Sequence, residues 1–173
     1  ILKKNNKKEI VTIYIRNRKY NNNFDNTFRN SDIDEYKLLT NYLSKKYLIL
    51  LYGDVKFFKN RVPENVYTHY NLNIDKFAFD IFSATECDYF IGTEGGAQTL
   101  GWWSKKKFSV NHYPYGHVTG DTNILFKNVY EGENKLSKEQ VMAKIPFERN
   151  PGENFKIINN SDTEILNFIK TYI

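Results

Sequence analysis

The sequence predicts a doubly wound α/β fold: a Rossmann-like parallel sheet of about five to six strands with helices on both faces. Short apolar, β-branched runs recur along the chain and read as buried strands. Segments with apolar residues at helical spacing separate them, which implies right-handed crossovers and hence parallel strands. The 173 residues, 40% of them hydrophobic, suit one core and leave no room for two full domains.

Ile10 to Ile15 (IVTIYI) is apolar at nearly every position, as expected of a central strand covered on both faces, and it ends at Arg16. After an Asn-rich loop, Ser31 followed by Asp34 and Glu35 reads as a capping-box-like helix start, with Ile33, Tyr36, Leu39 and Leu43 at helical spacing. Tyr47 to Tyr52 (YLILLY) is a second strand stopping at Gly53-Asp54, and Val66 to His69 a short third one. Asn73 is expected to cap a helix whose apolar face is Ile74, Phe77, Ala78, Ile81 and Ala84, leading to a fourth strand at Asp88 to Gly92. Gly95 and Gly96 turn the chain into a helix over Ala97 to Ser104, and Phe108 to Asn111 is a fifth strand closed by Pro114. From Tyr115 to Asn160 the chain reads as loop-rich, with one helix at Ser137 to Ala143. Ser161 caps a last amphipathic helix bearing Ile165, Leu166, Phe168 and Ile169. Disorder is expected only near Lys3 to Lys8 and Glu131 to Lys135.

Composition narrows the function. The single cysteine, Cys87, excludes an internal disulfide and makes a reducing, cytoplasmic setting the default, and three scattered histidines assemble no zinc spacing. No apolar run approaches the roughly 20 residues that cross a bilayer. The net charge of +5 is spread along the chain, with clusters only at Lys3 to Lys8 and Lys105 to Lys107, and reads mostly as solvated surface rather than a nucleic-acid footprint. Because the chain begins with Ile1 instead of Met, a longer protein is expected upstream.

In open α/β sheets ligands bind beyond the carboxyl ends of the strands, where the strand order reverses. With the order 3-2-1-4-5, the loops meeting there are Arg16 to Asn30 and Thr93 to Ala97. Arg16, Arg18 and Arg29 lie in the first loop, and a guanidinium fork grips a diphosphate bidentately; the bland alternative is three surface arginines. Gly92-Thr93-Glu94-Gly95-Gly96 joins a strand to a helix, so its amides and the positive helix end suit an anion, although a tight turn alone also explains two glycines. The pattern is neither GxGxxG nor a P-loop. Glu94 beside a phosphate would be repulsive and is placed on a ribose or sugar hydroxyl. Asp54 ends the second strand as a ribose or base contact, or equally as a turn residue. His69 reads as structural, His112 and His117 as structural or as lining the crevice mouth, and Trp102 and Trp103 as packing. No catalytic triad is assigned.

The pieces VTIYIRNRKY, FRNSDIDEY, YLILLYGD, DYFIGTEGG and VNHYP resemble, in order, a family of bacterial glycosyltransferases with the GT-B fold. They cover Val11 to Pro114, about two thirds of the chain. Most specific is Arg29-Asn30 with Asp32 and Tyr36, matching RN-x-D-x-x-x-Y. More distantly, a strand ending in Arg and a Gly-rich fourth-strand loop look like the donor sites of fucosyltransferase- and heptosyltransferase-type enzymes. Three departures concern the donor's identity and the activity of this member: Tyr14 where relatives tend to have His, Gly95 where Ser is expected, and Leu50 or Leu51 where Arg often precedes Gly-Asp.

The resemblance implies the carboxyl-terminal, donor-binding half of such an enzyme, with the acceptor-binding amino-terminal half outside this chain. Arg16 would stabilise the leaving diphosphate, and Arg18, Arg29, Asn30, Asp54, Thr93, Glu94, Gly95 and Gly96 would bind the nucleotide sugar. It further implies a metal-independent reaction, no tightly bound cofactor, a glycan or lipid-linked acceptor, and a role in polysaccharide synthesis in the cytoplasm or at the inner face of the membrane. The alternatives are a nucleotide-sugar epimerase, which needs extra acid/base carboxylates in the cleft, and a non-catalytic carbohydrate- or nucleotide-binding module. Nucleic-acid binding ranks third, without an RNP-like or helix-turn-helix signature.

Overall fold

The structure is a computed structural model that describes residues 8–17, 27–53, 55, 63–114, 121–145 and 152–173. Among the described residues six strands form the main sheet: β1 (Ile10–Ile15), β2 (Leu48–Gly53), β3 (Val66–Tyr67), β4 (Tyr89–Gly92), β5 (Lys106–His112) and β6 (Thr122–Phe126). Their order is β3-β2-β1-β4-β5-β6, and every neighbouring pair is parallel. The fold is therefore α/β and Rossmann-like. Strand order reverses between β1 and β4, so their carboxyl ends flank a crevice.

Strand alternation sends the apolar runs to both faces. Ile49 and Leu51 of β2 point to one side, where Leu39 and Leu43 of α1 (Lys37–Leu43) and Ile165 and Ile169 of α5 (Asp162–Lys170) pack. Leu48, Leu50 and Tyr52 point to the other, against Phe79 and Ala84 of α3 (Lys76–Thr85) and against Ala97 and Leu100 of a 3-10 helix at Gly96–Trp103. Each side chain so buried contributes about 1.5–3 kcal/mol. That 3-10 helix approaches the sheet closely enough that a Cβ on Gly101 would run into the Phe90 ring. Gly53 ends β2 at φ 93°, where a Cβ would strike the Ile15 carbonyl, so the β1 and β2 ends pair only with glycine there.

Four local expectations are corrected. Ser31 does not cap the first helical segment: its N–H donates to the Arg16 carbonyl at 2.8 Å, and Asp32 takes the cap with Glu35 completing the box, over a 3-10 turn at Ile33–Tyr36. The third strand stops at Tyr67, because Thr68 caps the short α2 (His69–Leu72); Asn73, in the left-handed region at φ 51°, closes α2, and Asp75 caps α3. The buried face of α3 is Phe79, Ser83 and Ala84, whereas Ile74 and Phe77 are 47% and 75% exposed. Apolar residues run almost around this helix, so periodicity left its rotation open; small Ser83 and Ala84 let it close on β1, where Thr12 Oγ1 donates to the Ser83 carbonyl. Finally, the supposedly loop-rich and partly disordered tail supplies β6 and a second, antiparallel sheet of order β8-β7-β9. Its strands are β7 (Asn128–Glu131), β8 (Asn134–Lys135) and β9 (Phe155–Ile158), and the stretch from Glu131 to Lys135 is a hairpin turning at Gly132. Tyr113, Val129, Leu136, Ile145 and Val141 of α4 (Lys138–Lys144) form its core. No helix among the described residues is long and apolar enough to cross a membrane.

Candidate functional site

The ends of β1 and β4 are stitched together before any side chain enters the crevice. The Thr93 N–H donates to the Tyr14 carbonyl at 3.1 Å, and the Arg16 N–H donates to Thr93 Oγ1 at 2.9 Å. Thr93 is fully buried in this seam. Arg16 is 5% exposed, and its side chain lies against the glycine turn: a Cβ on Gly95 would sit 3.4 Å from Arg16 Cδ and 3.2 Å from the Tyr14 hydroxyl. Gly96 is exposed, with open space where its Cβ would be. Tyr52 Oη donates to the Ala97 carbonyl at 3.1 Å and stacks on Tyr14, so two tyrosines prop the turn from below.

Glu94 turns inward from the same loop and is 7% exposed. Its Oε1 lies 2.6 Å from Arg29 Nε and its Oε2 accepts the Tyr113 N–H at 3.1 Å, so both oxygens are held by the protein. Burial raises its carboxyl above the ordinary range, opposed first by Arg29 and then by the Tyr113 bond, Arg16 and Lys127. Arg16 and Arg29 thus both bear on the Glu94 carboxylate, beside a turn that is exposed at Gly96.

Lys127, which sequence reasoning missed, follows β6 and is 4% exposed. Its ammonium donates to the Asn30 carbonyl, and desolvation brings it down to about 8 while Glu35 and Glu94 support the charge. Glu35, also missed, is a hub. Oε1 accepts from Asn159 Nδ2 at 2.6 Å, and Oε2 accepts from Asn111 Nδ2 at 2.8 Å and from the Asp32 N–H at 3.1 Å. Burial is the largest influence on its carboxyl and raises it. Asn111 reaches Glu35 because β5 bulges between Val110 and His112, with Asn111 in the left-handed region at φ 51°. Asn160 holds it there, donating its backbone N–H to Asn111 Oδ1 at 2.6 Å and its Nδ2 to the same oxygen at 2.9 Å. The bulge, the positive φ and the linker after β9 carry no sequence signal beyond asparagine itself.

A cavity of about 520 Å³ opens beside this network, lined by Asn17, Asn30, Asp32, Glu35, Lys127 and Asn159 among others. Asn17 and Asn30 directly follow Arg16 and Arg29, so cavity and arginine pair adjoin. His112 does not line it: the ring is 2% exposed, bonded through Nδ1 to Ser109 Oγ at 2.8 Å and packed on Phe126, and burial lowers it to about 4. Arg18, Asp54 and His117 lie outside the described residues. Compared with models of known protein families, with curated proteins and with solved structures, the chain matches none.

Proposed function

We propose that this chain is the donor-binding half of a glycosyltransferase, holding a nucleotide sugar by its diphosphate at the junction of β1 and β4. The observation that carries the reading is the packing of the Arg16 side chain against Gly95 where the strand order reverses. The buried Arg16 and the turn into the Gly96–Trp103 helix, exposed at Gly96, converge there, with Arg29 paired to Glu94 of the same turn. The resemblance of the RN-x-D-x-x-x-Y segment points the same way. As the bond from the anomeric carbon to the diphosphate oxygen breaks, the electron pair stays on that oxygen. Arg16 and the turn amides stabilise the developing charge, being already oriented before the bond breaks. No residue of this chain is assigned as the base that takes the acceptor's proton; the resemblance implies that it comes from the amino-terminal half.

Thermal shift against UDP, GDP, ADP and CMP and their sugar conjugates tests this, followed by calorimetry with the best binder. Arg16→Ala is expected to weaken binding by about 10- to 100-fold, in line with loss of a charge-assisted bidentate contact. Unchanged affinity in Arg16→Ala would refute the assignment.

A further inference from the structure

We propose that the 520 Å³ cavity beside the arginine pair receives a neutral, polyhydroxylated ring, the sugar of the donor, while the anion stays at the β1–β4 junction. This rests on the reading above and adds which part of the ligand goes where.

Charge makes the first division. At the junction Arg16 and Arg29 both bear on Glu94. Among the described residues that line the cavity, the Lys127 ammonium stands with two carboxylates, Glu35 and, at the exposed rim, Asp32, so a phosphate would gain no net attraction there. Glu35 is moreover occupied on both oxygens by Asn111, Asn159 and the Asp32 N–H, which fixes it as a support for the wall.

Chemistry makes the second. A hydroxyl is both donor and acceptor, so a ring bearing several of them needs amides, a carboxylate and an ammonium around it. Asn159, anchored on Glu35 through Nδ2, keeps its carbonyl oxygen in a fixed orientation; Lys127 and Asp32 supply charged donor and acceptor. Phe28 and Ile157 give an apolar patch for the C–H face of a sugar. A nucleobase would call for a flat slot between apolar faces. The only aromatic ring among the described lining residues, Phe28, already meets Tyr113 edge-on at 4.8 Å.

Two variants narrow the cavity at exposed lining positions and keep Arg16 and Glu35 in the sequence: Ile158→Trp, at a 37% exposed position, and Asn17→Trp. In calorimetry of the whole chain, at least one folded variant is expected to bind the nucleoside diphosphate within about twofold of the parent and the nucleotide sugar about tenfold more weakly. An equal loss for both ligands would put the nucleoside in the cavity, and no loss for either would leave the cavity empty; each overturns the proposal. If the parent binds no nucleotide, the transferase reading fails separately. Saturation-transfer NMR with the methyl glycosides of glucose, galactose, mannose and N-acetylglucosamine then decides the cavity. A signal kept in Arg16→Ala and lost in Ile158→Trp upholds it, whereas no signal on the parent overturns it.

Discussion

Asn111 donates to Glu35 Oε2 across 2.8 Å, joining a bulge in β5 to the helical turn after β1, 76 positions apart in the chain. With Asn159 on the other oxygen, this carboxylate ties three segments that share no regular hydrogen-bond ladder. Truncating it strands the buried amide of Asn111 and the half-buried amide of Asn159. Glu35→Ala is therefore expected to lower unfolding free energy by about 2–4 kcal/mol, and Glu35→Gln by roughly half as much because one acceptor survives. Urea titration measures both. A loss in Glu35→Ala below about 0.5 kcal/mol would show that the network holds nothing in place.

The strand order and the meeting of Arg16 with Gly95 were legible because they follow from apolar runs and one topological rule. Runs such as IVTIYI and YLILLY, short, rich in β-branched or aromatic residues and apolar at nearly every position, suit a strand covered on both faces. The rest depended on contacts that no local pattern encodes. Lys127 enters because β6, a short strand in a polar stretch, adds to the sheet edge, and Asn111 because a bulge turns it toward Glu35. The rotation of α3 was decided by the small residues Ser83 and Ala84 against β1, in a helix whose apolar residues offered several faces. Asp32 rather than Ser31 is the cap: its carboxylate accepts the Asp34 N–H, while the Ser31 N–H pairs with the Arg16 carbonyl.

Lys127 gives the protein a distinctive alkaline response. Its ammonium is lowered to about 8 in the folded state, below the ordinary 10.5, so between these values the unfolded chain binds more protons. Stability contributed by this group therefore rises with pH across that window, as the penalty for burying its charge is relieved. Relative to Lys127→Met, the parent should gain roughly 1–2 kcal/mol between about pH 8 and 9.5. Comparing the two proteins cancels the tyrosines, whose burial acts in the opposite direction above their ordinary range. Parallel stability curves would show that Lys127 is hydrated.

The Arg29–Glu94 pair makes the complementary acid-side test. Burial raises the Glu94 carboxyl and Arg29 is the largest influence holding it down, so Arg29→Met must raise it further. A carboxyl whose folded value exceeds its unfolded one binds protons more tightly when folded, and its burial penalty grows as pH rises through that interval. Arg29→Met should match the parent near pH 4 and fall about 1–3 kcal/mol behind it by pH 7. Thermal unfolding across that range reads the gap, and a gap independent of pH would mean that Arg29 acts by packing alone.

The glycine turn depends on how closely its helix lies on the sheet, and Gly101 sets that distance. Its backbone sits so near Phe90 that any Cβ must displace the ring, and Phe90, 1% exposed, has no solvent to move into. Gly101→Ala is expected to cost about 1–3 kcal/mol, the usual range for overpacking a core. Shrinking the neighbour should relieve it: Gly101→Ala with Phe90→Leu should be more stable than the sum of the two single losses predicts, a coupling of about 1 kcal/mol or more in a double-mutant cycle. Because the Gly96–Trp103 helix carries the turn against Arg16, the single variant should also weaken nucleoside diphosphate binding, and the double variant should recover part of it. Strict additivity in stability would mean that the helix and Phe90 are not in contact.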